Sequence, residues 1–220
     1  EFRRVLFRST IFIIGDSTAA KKDLSKGSPE RGWGMALQCY FDPAYVRIDN
    51  HAVNGRSSIS FINEKRWDKV LSLIRPGDYV IIQFGHNDEK AGPTRHTDPG
   101  STFDYTLAKY VRETREKGGI PVLMNPVVRR NFAKKVVESS GDDEALRNTT
   151  FKDGAQTVEG DSLKDTHGLY AVAPRDVARR MNCLFVDANK ITHDLEQELG
   201  VEGSKELHMW YKPGEHPALP

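Results

Sequence analysis

The sequence predicts an α/β protein, a three-layer α/β/α sandwich around a parallel five-stranded sheet in the flavodoxin-like arrangement. Two observations support this fold class. Five short apolar runs are nearly continuous and rich in β-branched residues, which indicates strands buried on both faces, as in parallel sheets. Segments with helical periodicity lie between the runs, and this alternation is typical of right-handed βαβ units.

The predicted strands are short, and helical or loop segments separate them. They are residues 11–14, 46–53, 79–84, 120–124 and 183–186. The third is the clearest, because the turn sequence Arg-Pro-Gly-Asp at 75–78 precedes a run of Tyr, Val and Ile.

The predicted helices place their apolar residues on one face. They are residues 33–40, 61–74, 103–117 and 169–181. The third ends at a Gly-Gly pair, a common helix stop. Residues 129–164 are polar with weak periodicity, which indicates a long loop or insertion rather than a second domain.

Length and composition limit the possible partners. The 220 residues suit one domain, which we assign to 10–220 and expect to be incomplete at its C-terminus, after a foreign-looking leader at 1–9. The 32 basic residues nearly balance the 31 acidic ones, so no nucleic acid or membrane partner is expected. No apolar stretch approaches the ~20 residues that cross a bilayer. Cys39 and Cys183 lack metal or redox spacing and are predicted core residues, with a disulfide between them left open.

A Gly-Asp-Ser-Thr motif at residues 15–18 directly follows the first strand. Ligands of parallel α/β sheets bind beyond the carboxyl ends of the strands, so Ser17 is a candidate nucleophile. The alternative is that Asp16 or Ser17 only caps a helix, which is the better interpretation of an isolated Asp-Ser pair.

Two further motifs follow the second and third strands. Asn-Gly-Arg-Ser at 54–57 contains Gly55, whose backbone N–H can approach a substrate oxygen, although alone it reads as an ordinary Asn-Gly turn. Gly-His-Asn-Asp at 85–88 contains Asn87, whose amide can donate to an oxyanion. We interpret His86 as a structural histidine and Asp88 as a residue that orders the loop.

In this order the three motifs resemble blocks I, II and III of the SGNH (GDSL-like) hydrolases. The stretches 13–18, 52–57 and 77–88 resemble the rhamnogalacturonan acetylesterase branch more narrowly. The resemblance implies that Ser17 is the nucleophile, and that the Ser17 N–H, the Gly55 N–H and the Asn87 side chain form the oxyanion hole. It also implies a serine esterase that removes O-acetyl groups from pectin-type polysaccharide through an acyl-serine intermediate, without cofactor or metal. Family members of this kind are generally secreted or periplasmic.

One family motif has no counterpart in this sequence. The family completes its triad with a late Asp-x-x-His block, and no Asp-x-x-His occurs here. Asp-Thr-His at 165–167 has a different spacing and precedes the last strand, and neither His193 nor His216 has a suitably placed Asp. We therefore expect the base and its orienting Asp beyond residue 220, and little activity from these residues alone. His167 is the alternative base.

Other functions remain open at this stage. A non-catalytic carbohydrate-binding pseudoenzyme and a lipolytic SGNH esterase both fit the motifs. A flavodoxin-like nucleotide binder fits poorly, because the chain has no Gly-x-Gly-x-x-Gly and no phosphate-binding loop. Arg56, Arg129 and Arg130 are candidate contacts for an acidic pectin backbone, although surface solvation is the favoured role of each. The sequence carries no signal for the oligomeric state.

Overall fold

A single parallel sheet organises the chain. The structure, a computed structural model, describes residues 9–25, 30–132, 160 and 162–208. Its strands pair in the order β2-β1-β3-β4-β5, every pair parallel, which confirms the predicted fold class. The strands are β1 Ser9–Gly15, β2 Val46–Asn50, β3 Tyr79–Gln83, β4 Ile120–Met124 and β5 Leu184–Val186.

The register brings the ends of the three central strands to one level. Gly15 of β1 lies opposite Gln83 of β3, which lies opposite Met124 of β4. We call this the carboxyl edge, because each of the three strands ends there. Segments that follow these strands therefore start side by side, which is where parallel α/β proteins bind their ligands.

Five α-helices and three short 3₁₀ helices occur in the described part of the chain. The α-helices are α1 Ser58–Asn63, α2 Arg66–Leu71, α3 Thr102–Glu116, α4 Leu169–Arg180 and α5 Ala188–Gly203. The 3₁₀ helices are Trp33–Met35, Leu37–Tyr40 and Ser204–Leu207. None of the helices is long and apolar enough to cross a membrane.

The sheet is covered unequally on its two faces. Successive side chains of a strand point to opposite faces, so Phe12 and Ile14 pack on one side and Ile13 on the other. The first side carries an aromatic cluster in which Trp67 meets Tyr110 edge-on at 4.9 Å and Phe84 stacks on Tyr110 at 5.6 Å. The second side is filled by small residues, Ala19, Ala20 and Ala52, with Trp33 and Leu37 beside them.

Several element predictions were wrong in detail. The single helix expected over 61–74 is two helices, because Lys65 between them has a left-handed backbone with φ 59°. The helix expected over 33–40 is two 3₁₀ turns. Helix α5 was missed, because it buries only Ala188 and Glu196 and so has a weak apolar period.

Strand β2 is shorter than predicted, although the chain continues alongside β1 after it. The His51 N–H donates to the Ile13 carbonyl at 2.8 Å and the Val53 N–H to the Gly15 carbonyl at 3.0 Å. Cys39 is exposed rather than in the core and Cys183 is half-buried, and both are free thiols. Most of the loop predicted over 129–164, and all of the leader but Ser9, lies outside the described residues.

Candidate active site

The first motif begins at Gly15, where the end of β1 lies very close to the end of β3. A Cβ atom at Gly15 would lie 2.6 Å from the Gln83 carbonyl oxygen, so only glycine lets the two strand ends approach this closely. The Gly15 carbonyl in turn accepts the Val53 N–H, one residue before the second motif. The ends of β1 and β3 and the start of the second motif are therefore neighbours.

Asp16 shapes the turn that presents Ser17. The Asp16 side chain is fully buried, and its Oδ1 accepts the Thr18 N–H at 2.9 Å and the Thr18 hydroxyl at 2.8 Å. The Asp16 carbonyl accepts the N–H groups of the next two alanines. Ser17 is half-buried, and within the described residues neither its hydroxyl nor its N–H has a hydrogen-bond partner. Asp16 thus stabilises a turn rather than capping a helix, since the first described helix begins at Trp33, and Ser17 stays available.

The second motif is a tight turn with a left-handed glycine. The Arg56 N–H donates to the Val53 carbonyl at 3.3 Å, and Gly55 between them has φ 75°, a conformation that L side chains rarely adopt. The Gly55 N–H has no partner among the described residues. Lys22, which is buried, donates to the Asn54 side chain at 2.9 Å and ties the turn to the segment that follows Ser17.

The third motif touches the second directly. Asn87 is buried, and its Nδ2 donates to the Arg56 carbonyl at 3.1 Å. A side-chain amide carries two N–H donors, so one is left for a ligand. This hydrogen bond holds Asn87 against Arg56, the residue that directly follows Gly55. All three sequence-predicted site residues occupy the carboxyl edge.

Asp88 fastens the loop that carries the third motif to neighbouring segments. It is fully buried and accepts the Ser58 N–H at 3.0 Å, the Gly85 N–H at 3.1 Å and the Thr97 hydroxyl at 2.8 Å, as well as the Ser58 hydroxyl. Burial raises the pKa of Asp88 to about 6, against the opposing effect of the Ser58 and Thr97 hydrogen bonds. These contacts join the third motif to the start of α1 and suit the loop-ordering role expected of Asp88.

Sequence reasoning missed a buried polar network behind the nucleophile turn. The Gln83 Oε1 accepts the Trp33 indole N–H at 2.7 Å and lies 3.1 Å from the Thr18 hydroxyl oxygen. Its amide nitrogen donates to the Asn125 carbonyl at 3.3 Å. The available signal was a single amide residue at the end of an otherwise apolar strand, where a buried polar group requires partners.

His167 is buried, and its hydrogen-bond partners in the described part of the chain do not include Ser17. Its Nδ1 lies 3.2 Å from both Glu89 Oε2 and Arg129 Nη1, and its Nε2 lies 3.0 Å from the Val127 carbonyl oxygen. Both ring nitrogens are therefore occupied, and no hydrogen bond joins His167 to Ser17 among the described residues. His193 lies on α5 with Asp194 as its neighbour, and His216 falls outside the described residues.

His86 is a buried, neutral histidine. Its ring meets the ring of His167 edge-on at 4.4 Å. Burial, together with the electrostatic effects of His167, Arg129 and Lys90, holds the pKa of His86 well below its ordinary value. Within the described part of the chain, no group of three His, Cys, Asp or Glu side chains is placed to hold a metal ion.

The three candidate sugar-binding arginines are bound within the chain. Arg56 pairs with the Glu64 carboxylate at 3.0 Å. Arg130 donates to the Ser204 hydroxyl at 2.7 Å and to the Val201 carbonyl. Arg129 pairs with Glu89. Each guanidinium therefore bonds to another part of the chain. Arg129 and Arg130 are partly buried, whereas the sequence favoured solvated side chains at the surface.

This arrangement has the layout of a carboxylic ester hydrolase. A half-exposed serine stands beyond the first strand of a parallel sheet, with two backbone N–H groups and an asparagine amide on the adjoining segments. The chain belongs to the GDSL-like lipase/acylhydrolase family, whose model matches residues 13–217.

Known proteins similar to this chain include two curated relatives and one solved structure. Rhamnogalacturonan acetylesterase RhgT of Bacillus subtilis is 33% identical over 210 residues, which are 96% of this chain and 78% of RhgT. The probable rhamnogalacturonan acetylesterase YesY of the same organism is 33% identical over 152 residues, 68% of this chain and 69% of YesY. The crystal structure of Bacillus subtilis YxiM shares the fold, with a TM-score of 0.69 at 23% identity over 93% of this chain and 50% of YxiM.

Proposed function

We propose that this protein is a carbohydrate acetylesterase that removes O-acetyl groups from a rhamnogalacturonan-type pectic polysaccharide. The observation that carries the proposal is the set of unengaged donors on the three adjoining segments that follow β1, β2 and β3 at the carboxyl edge. The Ser17 N–H and the Gly55 N–H have no partner among the described residues, and one N–H of Asn87 is left over. Acyl transfer requires a serine nucleophile and hydrogen-bond donors for the oxyanion, and these segments supply candidates for both.

The proposed reaction proceeds through an acyl-serine intermediate. Ser17 Oγ attacks the acetyl carbonyl carbon as its proton passes to a base, and the three donors hold the tetrahedral oxyanion. The sugar oxygen takes up a proton and leaves, and water then hydrolyses the acetyl-serine. Because both nitrogens of His167 are occupied, we assign the base to a group outside the described residues.

The choice of substrate is supported by the two relatives. Both carry rhamnogalacturonan acetylesterase in their names, and both match at 33% identity. A polysaccharide of this kind is too large to enter a cell, so the proposal includes secretion or a periplasmic location. A lipolytic esterase of the same family is the rival, and it differs in the length of acyl chain that it accepts.

The test measures the activity of the 220-residue chain on several ester substrates. Acetate release is measured from acetylated rhamnogalacturonan and from acetylated xylan, and 4-nitrophenyl acetate is compared with 4-nitrophenyl octanoate. Each assay is repeated with added imidazole, which can replace a missing histidine base. We expect acetyl esters to react faster than octanoyl esters, the pectic polymer to react faster than xylan, and imidazole to raise the rates.

Matched serine variants separate catalysis from background hydrolysis. Ser17→Ala removes the proposed nucleophile, and Ser72→Ala removes an exposed hydroxyl that bonds only to the local Lys69 carbonyl. Loss of turnover in Ser17→Ala but not in Ser72→Ala supports the proposal. Equal rates for wild type and Ser17→Ala overturn it, and a preference for octanoate favours the lipolytic rival.

A further inference from the structure

The loop that carries Asn87 is fastened at two places, and the second is a buried ionic cluster. The loop closes on itself through the Glu89 N–H to the Gly85 carbonyl at 3.2 Å and the Lys90 N–H to the Asn87 carbonyl at 3.3 Å. Asp88 fastens it toward α1, as described above. The opposite side of the loop is held from the segment that follows β4.

Arg129 makes this second attachment. Its Nη2 pairs with the Glu89 carboxylate and lies 3.5 Å from the His86 carbonyl oxygen. Its Nη1 lies 3.2 Å from the Thr166 hydroxyl and 3.2 Å from His167 Nδ1. The exposed fractions of the side chains are 15% for Arg129, 11% for Glu89 and 0% for His167. We call Arg129, Glu89 and His167 the Arg129 anchor.

The anchor acts on the peptide group next to Asn87. The His86 carbonyl belongs to the peptide that joins His86 to Asn87, and Glu89 follows two residues later. Arg129 therefore contacts the loop on both sides of Asn87. A guanidinium presents several N–H donors in one rigid plane, so it can hold both contacts at once, which a lysine ammonium on a flexible stem does less well.

The negative charge of Glu89 maintains its ion pair with Arg129 at neutral pH. Burial alone would raise the pKa of Glu89, but the hydrogen bonds and charges of His167 and Arg129 outweigh burial and lower it. Glu89 is thus ionised when the protein is folded. The charge of Arg129 is therefore paired with this carboxylate inside the protein, and its side chain is only 15% exposed.

We infer that Arg129 is a positioning residue for Asn87, acting through the His86 carbonyl and Glu89. This rests on the proposed function only in taking Asn87 as an oxyanion donor. An oxyanion donor must stand about 2.7–3.1 Å from the developing charge. A displacement of about 1 Å can cost a factor of about 100 in rate. A small rotation of the His86–Asn87 peptide is therefore enough to weaken the reaction without unfolding the protein.

The first readout is spectroscopic and needs no turnover. The side-chain amide signals of Asn87 are followed by ¹H–¹⁵N NMR of the full chain and assigned with Asn87→Ala. We expect these signals to shift or broaden in Arg129→Met and Glu89→Gln. They should stay in place in Arg115→Met, a matched control whose guanidinium also bonds two backbone carbonyls, those of Met181 and Asn182. Unmoved Asn87 signals in folded Arg129→Met overturn the inference.

The second readout is kinetic, on 4-nitrophenyl acetate. Arg129→Met should lower kcat by about 10- to 100-fold with KM changed less than about twofold. The same change in an Asn87→Ala background should cost little more, because the donor that it positions is gone. Full additivity of the two losses overturns the inference.

A variant that fails to fold and a failure of the proposed function can each be told apart from a failure of this inference. Should Arg129→Met fail to fold, Arg129→Lys keeps the charge, and we expect it to give a smaller shift of the same signals and a smaller kcat loss. Should wild type and Ser17→Ala hydrolyse every ester at equal rates, with or without imidazole, the proposed function fails while the NMR comparison still decides whether Arg129 positions Asn87.

Discussion

The aromatic face of the sheet and the carboxyl edge are equally buried but are held by different forces. Trp67, Tyr110 and Phe84 on the face are at most 1% exposed, and so are Gln83 and Asp88 at the edge. On the face, stability comes from removal of apolar surface from water and from ring packing, which depend mainly on volume. At the edge every buried group needs a partner in a particular direction. Changes on the face should therefore affect folding, and changes at the edge should affect chemistry.

One hydrogen-bonded path joins the two regions. The Tyr110 hydroxyl donates to the Ser58 carbonyl at 2.7 Å, and the Ser58 N–H donates to Asp88. Burial and the nearby carboxylates of Asp88 and Glu113 raise the pKa of Tyr110 well above its ordinary value, so its proton stays in place as the donor. The aromatic face thus supports the loop of the third motif through this path.

The largest effect is expected from Ser17→Ala, the clearest change at the edge. Where a working base is present, its rate loss should approach the factor of about 10⁶ that removal of a serine nucleophile causes in a hydrolase triad, and with imidazole as the base the loss should be smaller. Its free energy of unfolding should change little, because the Ser17 hydroxyl has no hydrogen-bond partner in the described part of the chain. Ester assays and urea unfolding measure the two effects. A large loss of stability would show that Ser17 is structural.

Trp67→Ala is the matching change on the face. Trp67 packs against Tyr110, and its indole N–H donates to Glu113 at 2.6 Å, so the substitution should cost about 3–5 kcal/mol of unfolding free energy. Activity per folded molecule should stay near wild type. Trp33→Phe is the control, because it keeps an aromatic ring and removes the indole N–H that reaches Gln83 at the edge, together with some ring volume. If Trp67→Ala lowers activity more than Trp33→Phe does, the separation is wrong.

The charge of Asp88 should make stability depend on pH in an unusual direction. Its pKa is 3.8 as a free group and about 6 in the folded state. Between these values the folded protein keeps a proton that the unfolded chain has released, so this contribution to stability falls as pH rises. It amounts to at most about 3 kcal/mol at 1.36 kcal/mol per pKa unit.

Asp88→Asn isolates this contribution. The variant loses hydrogen bonds at every pH, but the excess stability of wild type over variant should shrink as pH rises from about 4 to 7. Urea unfolding at several pH values measures the difference. A difference that grows with pH would mean that folding lowers the pKa of Asp88 instead.

Tyr110→Phe tests the path between the two regions and should have the smallest effect. It keeps the ring that stacks on Phe84 and leaves the Ser58 carbonyl without its donor, at a cost of about 1 kcal/mol. Thermal unfolding and ester hydrolysis are measured together. A rate loss as large as that of an oxyanion-donor variant would show that the path, rather than the edge alone, sets the geometry of the site.

Local pattern made the strands and the three motifs predictable. Continuous β-branched runs specify strands that are buried on both faces. Each motif begins at the end of its strand or within four residues after it, so the place of the motifs at one edge follows from parallel pairing. Helix boundaries were harder to predict from the sequence. The break at Lys65 is a backbone conformation that no apolar period encodes, and α5 presents Ile191, Leu195 and Leu199 to the outside instead of burying them.

The sequence by itself determined the parallel sheet, the order of the motifs, and Ser17, Gly55 and Asn87 as candidates. Only the tertiary structure decided which polar residues support them. Gln83 with Trp33, and Arg129 with Glu89, are 50 and 40 residues apart in the chain. Hydrogen bonds of this kind depend on the direction and distance of groups from separate elements, which the packing of the sheet and helices sets. The same packing occupies both nitrogens of His167, a residue that the sequence had left as a possible base.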